Sequence, residues 1–194
     1  IGGGAIDDAL GKALKDFPNH VWSTYGMTET LSHIALRRLN GAEASDWYTP
    51  FDNVRIRLSE EGTLIIHAPN VCAEELITND IAEINEEGKF RILGRKDNTI
   101  NSGGVKIQIE QVESRLRKHL DTPFLISARQ DAKFGEIVVL IYNKVGNEDD
   151  IRRVCESELP TYWVPKAYIA VDELPMTGTG KPDRASARRM ANNE

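Results

Sequence analysis

Two similar segments restrict the possible fold of this chain more than any other feature of its sequence. Residues 53–67 (NVRIRLSEEGTLIIH) and 80–93 (DIAEINEEGKFRIL) alternate apolar and polar residues on both sides of a Glu-Glu-Gly turn. Alternation with a period of two gives a strand one apolar face. Gly62 and Gly88 can adopt the left-handed conformation that closes such a turn. The pattern therefore predicts two antiparallel hairpins in a barrel-like subdomain.

The residues before these hairpins predict part of an α/β layer. A helix that is capped by Asp7 and ended by Pro18 carries one apolar stripe, and residues 21–23 are a short buried-strand candidate. The stripe consists of Leu10, Leu14 and Phe17. This order is typical of the end of a βαβ unit, so we expect a partial α/β layer here.

Residues 95–98 are charged and polar with no core position, and the pattern after them is α+β. The predicted elements are a ribbon at 99–109, helices at 110–120 and 151–159, and strands at 124–128, 137–142 and 168–171. A domain of this size can fold on its own. We therefore predict two domains, residues 1–96 and residues 97–194.

Composition excludes several classes of protein. The 194 residues carry a net charge of −6, which argues against a nucleic-acid partner because such proteins usually present a basic stripe. The basic residues Arg184, Arg188 and Arg189 are interpreted as one solvated helix face. No apolar run approaches the ~20 residues of a membrane span. Cys72 and Cys155 lie far apart, which predicts free thiols in a reducing cytoplasm, and the histidines show no metal-ligand spacing.

Residues 174–184 (LPMTGTGKPDR) form a glycine-rich and threonine-rich loop with one lysine, Lys181. Pro182 and Asp183 are typical of the opening of a helix, because proline is tolerated in the first helical turn. A lysine ammonium is a point charge with three rotatable donors, which suits a phosphate or a carboxylate. The alternative is a solvated surface lysine between two turns.

Four short segments along the chain match known sequence motifs in a defined order. They are YGMTE at 25–29, TND at 78–80, GRKDNTINSGG at 94–104 and PMTGTGK at 175–181. Each is a weak pattern alone, but the ordered set resembles the motifs of the adenylate-forming superfamily. That superfamily contains acyl- and aryl-CoA synthetases, luciferases and peptide-synthetase adenylation domains. The resemblance implies an enzyme that uses ATP to make an acyl-adenylate and then passes the acyl group to coenzyme A.

The resemblance also implies a set of nucleotide-binding residues. Tyr25 would stack on the purine with Gly26 leaving room, and Thr28 would donate to the α-phosphate. Asp80 would accept hydrogen bonds from both ribose hydroxyls, as one carboxylate can, and Arg95 would add a ribose or phosphate contact. The backbone presented to adenine would come from Gly3, Gly4 and Ala5.

The aspartate motif departs from the family pattern. The family has Thr-Gly-Asp where this chain has Thr78-Asn79-Asp80. Asparagine tolerates a positive φ better than most other residues. We therefore expect the turn before Asp80 to be retained.

Further roles follow from the same resemblance. Glu29 would hold Mg²⁺, which prefers carboxylate oxygen, and Lys181 would bridge the acid and the α-phosphate. Asp97 would be the hinge about which the small domain rotates between the half-reactions. Gly103 and Gly104 would line the pantetheine tunnel for coenzyme A, or would simply form a ribbon turn.

The segment 30–40 (TLSHIALRRLN) is similar to that of the o-succinylbenzoate–CoA ligases of menaquinone biosynthesis. In that interpretation Ser32 or His33 helps to bind the keto or carboxylate oxygens of the acid. The alternative is that both residues cap and solvate a loop. Another aryl- or medium-chain acyl-CoA synthetase and a non-catalytic nucleotide-binding or partner-binding fragment also remain open.

The chain begins Ile-Gly-Gly-Gly, and the phosphate-binding loop that the family places upstream of YGMTE is absent. We therefore expect the C-terminal part of a longer enzyme, inactive alone. Residues 1–96 would end the large AMP-binding domain, and residues 97–194 would be the small mobile lid domain. The expected protein is a cytoplasmic ligase of a small-molecule carboxylic acid, ATP and CoA, with a possible homo-oligomeric state.

Overall fold

The computed structural model describes residues 1–2, 6 and 8–193. The chain forms two compact units, an N-terminal unit (Ile1–Lys96) and a C-terminal unit (Asp97–Glu194). Each unit contains its own cluster of buried apolar residues. Within the described ranges, no helix has the length and apolar character needed to cross a membrane. The expected cap Asp7 lies outside the described residues.

The N-terminal unit begins with helix α1 (Asp8–Leu14) and a small antiparallel sheet. The sheet has the order β1-β2-β3, with bounds Trp22–Gly26, His33–Arg38 and Thr49–Pro50. Ile1 lies beside β1 with the hydrogen-bond pattern of a parallel pair, donating to the Trp22 carbonyl and accepting from the Thr24 amide. The apolar stripe on the first helix is less buried than its pattern predicts, since Leu10 and Phe17 are 37% and 49% exposed.

Four antiparallel strands form the second sheet of this unit. They are β4 (Arg55–Leu58), β5 (Thr63–His67), β6 (Leu76–Ile84) and β7 (Phe90–Arg95), in that order across the sheet. Gly62 and Gly88 have φ values of 79° and 74°, as the two hairpin turns require. The mixture of antiparallel hairpins with helix and strand confirms the predicted fold class.

The expected turn before Asp80 is wrong. Thr78, Asn79 and Asp80 lie inside β6, and among the described residues Leu31 alone has a positive φ without being glycine. Asp80 pairs with Arg95 on β7, whereas the pairs of β6 with β5 on either side of the motif are Ile77–Ile65 and Ile81–Thr63. Residues 78–80 thus lie opposite Leu64 alone, which makes the motif a bulge of β6, and the β6–β7 register also shifts between Ile81 and Ala82. The extra residues are thus accommodated inside the strand, with no positive φ at Asn79.

The C-terminal unit is α+β. Its elements are β8 (Thr99–Ser102), β9 (Val105–Gln108), α2 (Ile109–Leu116), β10 (Phe124–Asp131), β11 (Gly135–Asn143), α3 (Glu148–Glu158), β12 (Ala167–Val171) and α4 (Arg184–Asn192). The sheet has the order β10-β11-β8-β9, and β12 pairs with β11 in parallel. All the predicted strands and helices of this unit are present, with ends that differ by a few residues.

Residues 137–142 of β11 are all apolar, because both faces of the strand are covered there. One set of alternate residues packs against α2 and α3, and the other set packs against α4. The first set is Val138, Leu140 and Tyr142, and the second is Ile137, Val139 and Ile141. Two buried alanines of α4, Ala187 and Ala191, lie against the second set. Small residues there let the helix approach the sheet closely.

Strand β10 lies at one end of the sheet order and pairs with β11. Its outward backbone groups bond to side chains from two helices. The Ile126 amide donates to Glu113 Oε1 of α2 at 2.9 Å, and the Ile126 carbonyl lies 3.3 Å from Arg184 Nη1 of α4. The Gln130 amide donates to Asn192 Oδ1 at 3.0 Å. Side chains thus satisfy groups that a neighbouring strand would otherwise bind.

The interpretation of Arg184, Arg188 and Arg189 as one solvated face is wrong for the first of them. Arg184 donates to both carboxylate oxygens of Glu113, over 2.6 and 2.8 Å, and the Glu113 side chain is 2% exposed. Arg188 pairs with Glu136, and Arg189 donates to a serine on its own helix. The partner of Arg184 lies 71 residues away in the sequence, which is why helix periodicity alone does not reveal it.

Candidate functional site

The N-terminal unit brings together three residues to which the motifs assign nucleotide binding. The Tyr25 hydroxyl donates to Asp80 Oδ2 over 2.6 Å, and Arg95 Nη1 lies 3.6 Å from Asp80 Oδ1. Tyr25 is on β1, whereas Asp80 and Arg95 face each other across β6 and β7. Three segments that are distant in sequence therefore meet at one carboxylate.

The environment of Tyr25 keeps its hydroxyl protonated. Burial raises the pKa of Tyr25 well above its ordinary value, and the negative charge of Asp80 raises it further. The ring packs edge-on against Phe90 at 5.1 Å and is tilted against Tyr48 at 5.7 Å. Tyr25 thus remains a hydrogen-bond donor that fixes the orientation of the Asp80 carboxylate.

Asp80 has capacity for further hydrogen bonds. Its side chain is 16% exposed, and that of Arg95 is 52% exposed. Each carboxylate oxygen offers about two lone pairs, so one bond from Tyr25 and one ion pair do not saturate the group. A neutral ligand with two adjacent hydroxyls has the complementary donors.

Shifts in strand register lie beside Tyr25 and beside Asp80. The β1–β2 register shifts between Tyr25 and Gly26, as the β6–β7 register shifts after Asp80. A Cβ on Gly26 would lie 2.4 Å from the Ser32 carbonyl oxygen, so glycine is needed for the approach of the chain's own backbone. Bulges of this kind redirect side chains beside functional sites.

The segment after β1 is a 3-10 turn at Thr28–Thr30, and sequence reasoning missed the residue that holds it. Thr30 is buried, and its Oγ1 accepts from the Met27 amide at 3.0 Å. The same hydroxyl lies 2.9 Å from the Met27 carbonyl and 2.6 Å from the Ser32 carbonyl. A capping threonine three residues after Met27 is the signal that could have revealed it. The turn leaves Thr28 and Glu29 exposed.

Ser32 and His33 are also exposed, at the start of β2. Ser32 Oγ lies 3.3 Å from His33 Nδ1, and the His33 ring packs edge-on against Phe51. His33 is the cross-strand partner of Gly26, so the expected acid-binding residues lie beside the strand of Tyr25. Sequence reasoning did not predict that this segment is a strand.

Leu31, between the 3-10 turn and Ser32, has an uncommon backbone conformation. Its φ is 56°, in the left-handed region that favours glycine, and its side chain is 84% exposed. Its amide donates to the Thr28 carbonyl at 3.0 Å, which closes the 3-10 turn. The turn is thus maintained at the expense of an unfavourable backbone conformation at Leu31.

In the C-terminal unit Lys181 is exposed on a closed loop. The Thr177 amide donates to the Lys181 carbonyl at 2.7 Å, and the Lys181 amide donates to Thr177 Oγ1 at 3.1 Å. Gly180 has a φ of 75°. Asp183 then caps α4 by accepting from the Ser186 amide at 3.0 Å, which confirms the predicted helix start.

The glycine pair Gly103 and Gly104 occupies the turn between β8 and β9 with φ values of 57° and 85°. Two consecutive positive φ values are those of a type I′ hairpin turn, which glycine favours. The turn alone accounts for both residues. Asp97 lies in a 3-10 turn at Lys96–Asn98, and Gly3, Gly4 and Ala5 lie outside the described residues.

The described side chains contain no group of three histidine, cysteine, aspartate or glutamate residues that could hold a metal ion. Glu29 offers a single exposed carboxylate. That donor set fits Mg²⁺, which keeps several waters and is usually held by one or two carboxylates together with substrate phosphates.

Part of the C-terminal unit matches a known protein family. Residues 125–181, which contain Lys181 at their end, match the AMP-binding enzyme C-terminal domain. The resemblance to adenylate-forming enzymes that the four motifs predict is confirmed.

Two curated relatives are similar to almost the whole of this chain. A 2-succinylbenzoate–CoA ligase from Bacillus cereus is 29% identical over 98% of this chain and 46% of that protein. Its counterpart from Bacillus mycoides is 28% identical with the same coverage. The chain thus spans about half the length of the curated relatives it matches.

Two solved structures are also similar. An acyl-CoA synthetase (AMP-forming)/AMP-acid ligase II-like protein from Dyadobacter fermentans is 34% identical with a TM-score of 0.52, covering 96% of this chain and 55% of that one. The o-succinylbenzoate CoA synthetase (MenE) from Bacillus subtilis, in complex with the acyl-adenylate intermediate OSB-AMP, has a TM-score of 0.78. It is 24% identical and covers 96% of this chain and 44% of that one, so this likeness shows the fold alone.

Proposed function

We propose that the chain is part of an ATP-dependent acid–CoA ligase that forms an acyl-adenylate and then a thioester, with o-succinylbenzoate as its acid. The observation that carries this proposal is the meeting of Tyr25, Asp80 and Arg95 at one carboxylate. The 29% identity to a 2-succinylbenzoate–CoA ligase over 98% of this chain supports the choice of acid.

In this proposal the N-terminal unit holds the nucleotide. The exposed part of the Tyr25 ring stacks on adenine, and Asp80 accepts from the two ribose hydroxyls while Tyr25 keeps its carboxylate oriented. Arg95 balances the charge of Asp80 and contacts the ribose or a phosphate. The backbone of Gly3, Gly4 and Ala5 stays a predicted adenine contact.

The first half-reaction joins two anions. A carboxylate oxygen of the acid attacks the α-phosphorus of ATP, and the bond to the β-phosphate oxygen breaks to release pyrophosphate. Thr28 donates to the α-phosphate, and the Lys181 ammonium offsets the repulsion between the acid and the phosphate. Glu29 would hold Mg²⁺, which would supply further positive charge at the phosphates. A bound ATP and magnesium ion are named for the MenE of Bacillus subtilis, which supports this assignment.

In the second half-reaction the thiolate of CoA attacks the acyl carbonyl carbon, and AMP leaves with the electron pair of the broken C–O bond. Gly103 and Gly104 would border the pantetheine chain, and Asp97 would be the hinge. Residues 1–96 would then be the end of the AMP-binding domain and residues 97–194 the lid. Cytoplasmic location and a homo-oligomeric state remain predictions.

A broader substrate range is the second candidate. The 34% identical structure from Dyadobacter fermentans is described as an acyl-CoA synthetase without a named acid. Ser32 and His33 are exposed polar groups that suit a keto or carboxylate oxygen of several acids.

Pyrophosphate exchange tests the function directly. Exchange of labelled pyrophosphate into ATP would be measured with o-succinylbenzoate, benzoate and octanoate, on the 194-residue chain and on the complete gene product that contains it. The proposal expects exchange with o-succinylbenzoate in the complete product. Exchange with octanoate or benzoate alone would support the broader synthetase. Absence of exchange with every acid would overturn the ligase and favour a binding module.

A further inference from the structure

A buried carboxylate links three parts of the C-terminal unit. Glu113 on α2 is 2% exposed, and its Oε1 accepts from the Ile126 amide at 2.9 Å and from Arg184 Nη1 at 2.6 Å. Its Oε2 accepts from Arg184 Nη2 at 2.8 Å and from Arg117 Nη2 at 3.1 Å. All these contacts lie within one compact unit. Glu113 therefore bonds helix α2 to both strand β10 and the first residue of helix α4.

The geometry of the pair is directional. Two parallel N–H···O bonds between a guanidinium and a carboxylate fix the relative orientation of the two groups as well as their distance. Burial opposes the charge of Arg184, but the hydrogen bonds and charge of Glu113 outweigh it and raise the pKa of Arg184. A buried ion pair adds little net stability compared with an apolar pair, and its attested use is to fix register.

The pair lies at the base of the loop that carries Lys181. Arg184 follows Lys181 by three residues, and the Asp183 amide donates to the Pro175 carbonyl at 2.9 Å. Met176 and Pro182 also form an isolated antiparallel β-bridge. The loop is thus a closed hairpin whose two ends meet immediately before Arg184. The orientation of that hairpin relative to β10 depends on how Arg184 is held.

We propose that Glu113 and Arg184 are positioning residues that set the orientation of the Lys181 loop for the adenylation half-reaction. This inference rests on the proposed function. Neither side chain contacts the reacting groups, and both act through the backbone of residues 181–183. The rest of α4 is held to β10 separately, since Asn192 bonds to the Gln130 amide and the Ala128 carbonyl. Loss of the pair would therefore release the loop while leaving the helix docked.

Substitution Arg184→Lys in the complete gene product tests the role. Lysine keeps the positive charge for Glu113 but cannot form the bidentate fork. We expect the adenylation rate to fall on the order of 10- to 100-fold, because misplacement by about 1 Å costs that much. Thioester formation from supplied acyl-adenylate should stay within about twofold of wild type. The matched control is Arg188→Lys on the same helix, which alters a partly exposed ion pair with Glu136 and should leave both rates unchanged.

Amide hydrogen exchange of Thr177, Gly180 and Lys181 gives a readout that does not require activity. In Arg184→Lys these amides should exchange on the order of 10-fold faster, while the amides of β11 keep their protection. Glu113→Gln, which retains an acceptor for the Ile126 amide but loses the charge, is the second variant and should behave likewise.

Equal loss of both half-reactions, or unchanged loop exchange, would overturn the positioning role. If the wild type fails to adenylate any acid, the proposed function fails, and the exchange measurement alone decides whether the pair orients the loop.

Discussion

The Tyr25 hydroxyl donates to Asp80 Oδ2 over 2.6 Å, although 55 residues separate the two in sequence. The bond joins a partly buried donor to a charged acceptor, and Arg95 lies 3.6 Å from the other oxygen of the same carboxylate. Tyr25 can therefore do more than offer a ring to a purine. It also holds the acceptor that a ribose would meet.

Tyr25→Phe should remove the hydrogen bond to Asp80 while keeping the aromatic ring. Because hydrogen bonds to charged groups contribute about 1.5–3 kcal/mol, we expect the unfolding free energy to fall by about 1–2 kcal/mol. Urea denaturation monitored by circular dichroism would measure it. Tyr162→Phe is the control, since Tyr162 is 69% exposed. Equal midpoints for the two variants would contradict the expected contribution.

Alkaline pH should destabilise the fold through the buried thiol of Cys155. Burial raises the pKa of Cys155 from 9.0 to about 11. A raised pKa in the folded state favours the neutral thiol, so its contribution is fully present below about pH 9 and is lost as the pH rises through about 11. Thiolate absorbance in the Cys72→Ser variant should titrate near pH 11 when folded and well below that in urea. Coincident titrations would disprove the shift.

Leu31→Gly should preserve or raise stability, unlike most substitutions by glycine. Glycine relieves the left-handed strain, which costs roughly 1–3 kcal/mol, and gives up roughly 0.5–1 kcal/mol of backbone entropy. Little burial is lost, because Leu31 is 84% exposed. Thermal unfolding would compare it with Ile77→Gly, an exposed position inside β6 where glycine should destabilise. A similar loss in both variants would show that Leu31 is not strained.

Lys181→Ala in the complete gene product should abolish adenylation and spare thioester formation. In the proposed function the lysine charge offsets the repulsion between the acid and the α-phosphate, and this repulsion is absent once the acyl-adenylate exists. Pyrophosphate exchange measures the first half-reaction, and CoA thioester formation from supplied acyl-adenylate measures the second. Equal losses in the two assays would rule out the assigned role.

Asp97→Pro should affect the two half-reactions unequally by restricting the proposed hinge. Proline fixes φ and restricts the preceding residue, so a backbone pivot at this position would be confined to one conformation. We expect one half-reaction to persist and the other to be lost in the complete gene product. A normal overall rate would show that Asp97 is not the hinge.

The sequence predicted the parts of the fold that depend on local pattern. Both hairpins, with Gly62 and Gly88 in their turns, follow from alternation and from the need for a positive φ. The central strands at 124–128 and 137–142 follow from unbroken apolar runs. The capped start of α4 at Asp183 follows from local turn chemistry. Each of these signals lies within a few residues of the feature it predicts.

The errors arose where distant partners decide the structure. Strand β2 was missed because arginines interrupt its apolar pattern, and Arg38 is nonetheless buried, with its Nε donating to Asn40. Asn79 lies in a bulge of β6 rather than in a turn, because β5 pairs on either side of it at Ile77 and Ile81. Arg184 is held by a carboxylate 71 residues away. The motifs likewise named Tyr25, Asp80 and Arg95 separately, and only the fold brings the three together.

The side chains along β10 have a consequence for the behaviour of the protein at high concentration. A strand at the end of a sheet offers its free amides and carbonyls as a template on which another chain can add. Glu113, Arg184 and Asn192 already occupy such groups at Ile126 and Gln130. Together they prevent a second molecule from extending the sheet at this edge, so the same carboxylate that anchors a helix also protects the protein against aggregation.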